Sequence, residues 1–197
     1  MKKIWMVAAA TTTVFMLSAQ DAAIETQGIG VIIDAHALVD VVNDEIVFDF
    51  SNDDPAEAGD AFVLGANKFS VTHLNYSLMM SNGGIADGSI SVRLSNMNEG
   101  MGLSLLADGS QPMSLPSNQY GTIGNVAPNF DASQGAIPVK LTSTDQVLIE
   151  NIGTSYTGNG AGNGYELTYL VSLEDYAQLD ADNGAQDMGT VTYTIAE

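Results

Sequence analysis

Short runs in which apolar and polar residues alternate recur along this chain, and clusters of Gly, Asn and Asp separate them. Alternation with a period of two puts every second side chain on one face of a strand, so each run can bury one face and leave the other wet. "EIVFDFS" sends Ile46, Phe48 and Phe50 one way and Val47 and Asp49 the other. "SISVRLS" sends Ile90, Val92 and Leu94 inward, "GMGLSLL" offers Met101, Leu103 and Leu105, and "AIPVKLT" offers Ile137, Val139 and Leu141. "QVLIENI" and "YELTYLVSL" add two more, the second with Tyr165, Leu167, Tyr169 and Val171 on one face. The chain closes on "GTVTYTIAE", where Val191, Tyr193 and Ile195 alternate with threonines.

The clusters between the runs, "SNDDPAEAGD", "SNGGIADG", "LADGSQP" and "TGNGAGNG", are turns. Gly and Asn tolerate positive φ there, and Asp and Asn side chains bond their own backbone. Eight or more short strands joined this way predict an antiparallel sandwich or barrel. One stretch, "SLEDYAQLDAD", is a helical candidate of at most two turns. The segment from Pro112 to Pro138 carries the least pattern and reads as a long connection with short strands.

The first residues, "MKKIWMVAAATTTVFMLSAQDAA", have the form of a secretory signal: Lys2 and Lys3, a short apolar core from Ile4 to Leu17, then small residues. Cleavage is expected after Ala19 or Ala22, and the core is shorter than the roughly 20 residues of a spanning helix. Residues 1–22 are therefore assigned to the signal and the exported chain is expected to have no membrane insertion. About 175 residues remain, enough for one domain with a sizeable core. Cut after Ala19, the chain keeps three basic residues, Lys68, Arg93 and Lys140, against twenty-four acidic ones, a net charge of −21. Such a surface repels nucleic acid and anionic lipid. There is no cysteine, which removes thiol chemistry and cysteine-ligated zinc. With 45% hydrophobic residues the chain is expected to fold despite its charge.

Chemistry-bearing patterns are sparse. His36 in "IDAHALV" and His73 in "SVTHLNY" fall inside strand patterns and read as strand residues rather than catalytic bases. Neither a nucleophile elbow, nor a zinc-protease helix, nor a phosphate loop occurs, and the only tryptophan, Trp5, belongs to the signal. We expect no enzyme activity and no cofactor. Two acidic loops supply oxygen ligands of the kind calcium takes, "SNDDPAE" with Asp53 and Asp54, and "DADNGAQD" with Asp180 and Asp182. Neither keeps the spacing of a helix–loop–helix calcium site, so both read first as solvated turns and only secondarily as calcium candidates. "Asn75-Tyr76-Ser77" matches a glycosylation sequon but sits within a strand pattern.

The stretch "AIETQGIGVIIDAHALVDVV" alternates too, with Ile29, Val31, Ile33, Ala35, Ala37, Val39 and Val41 on one face. It fits either one long strand or a segment of about a dozen residues followed by a second strand. As an exported tail it would be an unpaired, sticky edge, which natural proteins normally avoid.

A signal, an alternating N-terminal segment, an all-β body and a terminal alternating strand, with the order seen in "GYELTYLVSLEDYAQLDADNGAQDMGTVTYTIAE", together resemble a chaperone–usher pilus (fimbrial) subunit of the cysteine-free type. The resemblance implies an all-β, immunoglobulin-like antiparallel β-sandwich (35–197) that lacks its last strand, preceded by an N-terminal donor-strand extension (23–34). It implies head-to-tail polymerisation with copies of itself, in which one subunit's extension fills the next subunit's groove. A periplasmic chaperone and an outer-membrane usher would handle the subunit on its way through the periplasm to the cell surface. On this chain the donor residues would be Ile24, Ile29, Val31 and Ile33. The groove-edge strand would present Val191, Tyr193 and Ile195, and the chaperone would hold the carboxylate of Glu197. The chain departs from many members in having no disulfide and in ending on Ala196 and Glu197 rather than near an aromatic residue. The competing reading is an exported, self-contained β-sandwich that binds carbohydrate or a surface partner.

Overall fold

The computed structural model describes residues 27–65, 68–81, 85–97, 99–110, 121–179 and 189–197. The expected signal region, Ile24, Asp180 and Asp182 lie outside the described residues. The chain divides into a leading unit ending at Ile33 and a body from Asp34 to Glu197.

The body is all-β. Its strands are β1 (His36–Val41), β2 (Phe69–Met79), β3 (Gly88–Ser95), β4 (Met101–Ala107), β5 (Gly121–Val126), β6 (Val139–Lys140), β7 (Gln146–Tyr156), β8 (Tyr165–Leu173) and β9 (Thr190–Ala196). Every pairing between them is antiparallel, in the order β6-β4-β8-β2-β7-β3-β9, with β1 added to β2 and β5 to β7. Strands β2, β3, β4, β7, β8 and β9 fall on alternating stretches of the sequence. The N-terminal alternation resolves into a strand over its second part only, where Val39 and Val41 turn inward.

Three stretches differ from expectation. "EIVFDFS" keeps its alternating burial, with Ile46, Phe48 and Phe50 half-buried and Val47 and Asp49 exposed, yet it is not a strand. Side-chain alternation needs only a surface to lie on, whereas a strand needs a ladder partner as well. "AIPVKLT" pairs over two residues, Val139 with Leu105 and Lys140 with Ser104, and Ile137 is 80% exposed. Pro138 has no N–H to give a ladder, which ends the pairing one residue after Ile137. The described part of "SLEDYAQLDAD", up to Leu179, holds one 3₁₀ turn, Tyr176–Gln178, capped by the Asp175 side chain. So short a segment has too few hydrogen bonds to offset helix nucleation. The long connection holds β5 and a second 3₁₀ turn, Ala132–Gln134.

The sheet folds over on itself. Four ladder steps separate β8 from β9, about 19 Å on a flat sheet at roughly 4.8 Å per step. Yet the hydroxyls of Tyr169 on β8 and Tyr193 on β9 hydrogen-bond to each other. Between the two layers lies one core in which Leu74, Ile90, Val92, Leu105, Leu148 and Leu167 are fully buried. In β7 the alternation slips, because Leu148 and Ile149 are both buried. Gly88 stands opposite Ile152 and Ile90 opposite Ile149, so two residues of β7, Glu150 and Asn151, face one of β3, Ser89, with Asn151 at a φ of 59°. This is a β-bulge, which re-aims the second half of the strand.

The turn between β7 and β8 contains Gly158, Gly160, Gly162 and Gly164, all at positive φ. At Gly164 the chain passes so close to β2 that a Cβ would sit 2.1 Å from the Leu74 carbonyl oxygen. Asn75, 4% exposed, faces this turn, and its amide nitrogen can reach the carbonyls of Gly158 at 3.3 Å and Asn163 at 3.1 Å. A side chain so enclosed is closed to a glycosylating enzyme in the folded protein, so the sequon has a packing role.

Among the described residues Asp131 is the buried carboxylate. Its Oδ1 accepts from the Gly109 N–H at 3.0 Å and the Ser133 N–H at 2.9 Å, and its Oδ2 from the Gln134 amide at 2.6 Å. Burial alone would raise its pKa, but these donors, with the Ser133 hydroxyl, hold it below the ordinary value of 3.8. The ion thus clamps the loop after β4 to the turn after β5. Asp131→Asn should cost about 1–3 kcal/mol near neutral pH, since its NH₂ meets donors. A lowered folded pKa means the native contribution is complete above 3.8 and lost as pH falls through the folded value. The gap between wild type and D131N in urea unfolding should therefore close in acid.

Candidate functional site

The two ends of the described chain carry the features that the compact body does not use. At the N-terminal end, residues 27–33 have no regular secondary structure. Ile29, Val31 and Ile33 are 85%, 79% and 69% exposed, and Ile32, on the opposite parity, is 91% exposed. Sequence alternation singled out the first three and missed Ile32, because period-two reasoning assumes that one face is covered.

At the other end, β9 is a strand because threonine, valine, tyrosine and isoleucine suit a pleated, half-buried surface. It pairs with β3 along its full length, from Ser89 opposite Ala196 to Ser95 opposite Thr190. Its second edge has no ladder partner among the described residues. Strand β1 is in the same position, paired with β2 on one edge only. The two strands come within 8 Å between Cα atoms without forming a ladder.

Core cover is incomplete along these edges. Ile90, Val92 and Leu94 on β3 are buried, while their cross-strand neighbours Ile195, Tyr193 and Val191 on β9 are only half-buried. Val39 and Val41 on β1, and Ile46, Phe48 and Phe50 in the ladder-free segment after it, pack on the same core and are also half-buried. Among the described residues the segment 43–49 makes no backbone–backbone hydrogen bond, so within them its N–H and C=O groups have no ladder partner. The sequence pointed to Val191, Tyr193 and Ile195. It did not point to the stretch from Ile46 to Phe50 as a bare edge, since its pattern is that of an ordinary paired strand.

Tyr193 anchors β9 across the core through its hydroxyl contact with Tyr169. Burial pushes the Tyr169 hydroxyl up to about 12 and raises Tyr193 well above its ordinary value, with the neighbouring phenol adding to the second shift. Both phenols are therefore neutral scaffolding groups near pH 7. Glu197 is exposed, and its side-chain Oε2 accepts from the Ser81 hydroxyl at 3.0 Å and the Ser81 N–H at 3.4 Å. This contact ties the chain terminus to the end of β2.

The other singled-out residues have local partners. His36 on β1 lies 3.2 Å from the Ser77 hydroxyl, and His73 on β2 stands opposite Glu166 of β8. Asp53 accepts from the Gly65 N–H at 2.9 Å and closes the loop between them, while Asp54 is exposed. Among the described residues no group of three or more His, Cys, Asp or Glu side chains is placed to hold a metal ion. Nor, among them, is any helix long and apolar enough to cross a membrane. Comparison with protein-family models, with curated proteins and with solved structures finds no match.

Tyr193→Phe leaves the buried Tyr169 hydroxyl without its partner and should cost about 1–2 kcal/mol in urea unfolding. Because both folded pKa values are raised, the phenols stabilise the fold fully below pH 10, the unfolded value. That stability is lost as pH rises through 10 toward about 12 for Tyr169. Y169F/Y193F removes both groups, so its stability should fall less steeply over this alkaline range.

Proposed function

We propose that this chain is a structural subunit of an exported surface fibre, a fimbria or pilus, that polymerises by donor-strand complementation. The leading segment of one copy would supply a strand to the open edge of β9 in the next, with Ile29, Val31 and Ile33 covering the core beside Val191, Tyr193 and Ile195. In this reading the body is an immunoglobulin-like sandwich with one strand missing, and the periplasmic chaperone and outer-membrane usher act before assembly.

One observation carries the proposal: among the described residues, one end has an exposed apolar segment with no ladder partner and the other has a strand edge with none, over a half-covered core. Each is a liability in isolation, since an open edge with apolar side chains invites association. Joined between copies, each satisfies the other. Main-chain hydrogen bonds would pair the backbones regardless of sequence, and alternating side chains would set the register. Because donor and acceptor are different surfaces, the contact runs head to tail and does not close on itself. Two ladder spacings amount to about 9.6 Å, so insertion would move β1 and β9 apart where they now stand within 8 Å.

The decisive comparison is between the whole exported chain and one lacking residues 23–33. The shortened chain should unfold as cooperatively as the parent, remain monomeric in sedimentation, and form no fibres in electron micrographs. Val31→Asp would bury a carboxylate against apolar side chains and should lower polymer yield roughly tenfold or more. Should the deletion instead unfold the body, the segment is an internal strand, and a self-contained binding module becomes the better account.

A further inference from the structure

We infer that joining of copies is gated by cation screening, because the proposed donor segment and the strands it would meet carry carboxylates and no lysine or arginine. This inference rests on the fibre-subunit reading and adds its control. No Lys or Arg occurs between residues 4 and 67, or after Lys140. The first interval contains the whole donor segment, β1 and the bare edge from Ile46 to Phe50, and the second contains β9. The donor segment brings Asp34 with it, the ladder-free segment after β1 brings Glu45 and Asp49, and Glu197 follows β9, all four exposed.

The three basic residues of the body are already engaged within the chain. Arg93 lies 3.9 Å from Asp145, Lys140 pairs with Glu174, and the Lys68 ammonium sits 5.7 Å from the centre of the Phe69 ring. None of them lies in the donor segment, on β1, on β9 or in the segment from Ile46 to Phe50; Arg93 stands beside β9, opposite Thr192, with Asp145 already next to it. Two copies must therefore approach with like charge on the faces that meet, on top of a chain-wide charge of −19 with the leader counted. Like charges on approaching surfaces slow encounter, and dissolved ions weaken that repulsion with distance. The control needs no bound ion. It is diffuse and depends on ionic strength.

Assembly of the exported chain, followed by light scattering and sedimentation, tests this between about 0.01 M and about 1 M NaCl, over which the Debye length shrinks from roughly 30 Å to about 3 Å. The rate should rise on the order of tenfold or more across that range. In the variant D34N/E45Q/D49N it should start higher and rise less. Sodium sulfate and sodium chloride at equal ionic strength should act alike. A rate that follows sulfate beyond its ionic strength would reflect strengthened apolar burial instead, and would overturn the inference. So would a flat rate, or a triple variant with the full salt dependence. If wild type assembles at a flat rate and V31D does not assemble, only the gating fails. If V31D assembles as wild type does, or nothing assembles at any salt, the fibre-subunit reading falls and the gating with it.

Discussion

Strand β2 is shared between the two layers of the body, and the remaining elements depend on that sharing. Along one edge, residues Phe69 to Leu74 pair with β8, and Ser77 and Leu78 pair with the end of β7. Along the other, Leu74 to Met79 pair with β1. A strand has two hydrogen-bonding edges only, so β7 and β8 must succeed one another along the same edge of β2. The turn between them has to release the chain from one layer and deliver it to the other within a few residues. Four glycines at positive φ, with Asn75 reaching into the turn from β2, achieve that.

Once β7 and β8 diverge, the layers face each other and the tyrosines tie them together. The hydroxyls of Tyr76 and Tyr165 both donate to the Ile123 carbonyl, drawing β5 onto β2 and β8, and Tyr169 meets Tyr193. The rings of Tyr76 and Tyr165 lie stacked with centroids 6.5 Å apart. Each phenol fills core volume with its ring and satisfies its one polar atom within the fold, so burying it carries little penalty. The contact between Tyr169 and Tyr193 holds β9 across the core, while its second edge has no ladder partner among the described residues.

An open edge and an exposed apolar segment have a common physical meaning. Both leave backbone groups to water and apolar area uncovered, so both lower their free energy by finding a partner. The strongly acidic surface opposes indiscriminate association of such groups, because copies of the same chain repel. An apolar segment and a strand edge that can pair, on a chain whose copies repel, are compatible with a specific contact and unfavourable to a disordered aggregate.

Much of this was legible in the chain. Alternation in "SISVRLS", "GMGLSLL", "YELTYLVSL" and "TVTYTIA" determined four strands and their inward faces, because one covered side imposes period two wherever the strand lies. The Gly and Asn clusters determined turns, since few other residues accept positive φ. Composition alone determined the anionic surface. Tertiary structure decided which strands are neighbours, since ladder partners lie up to about a hundred residues apart and hydrogen bonds between backbones carry no residue code. For that reason "EIVFDFS", with as clear a pattern as any, has no ladder, while β5, with hardly any pattern, lies in the sheet. Tertiary structure also decided that Asp131 is a clamp rather than a solvated acid, because its donors come from separate turns. And it decided that the terminal strand has one ladder neighbour among the described residues: the sequence determined that β9 would pair, but only the folded sheet set which strand it meets.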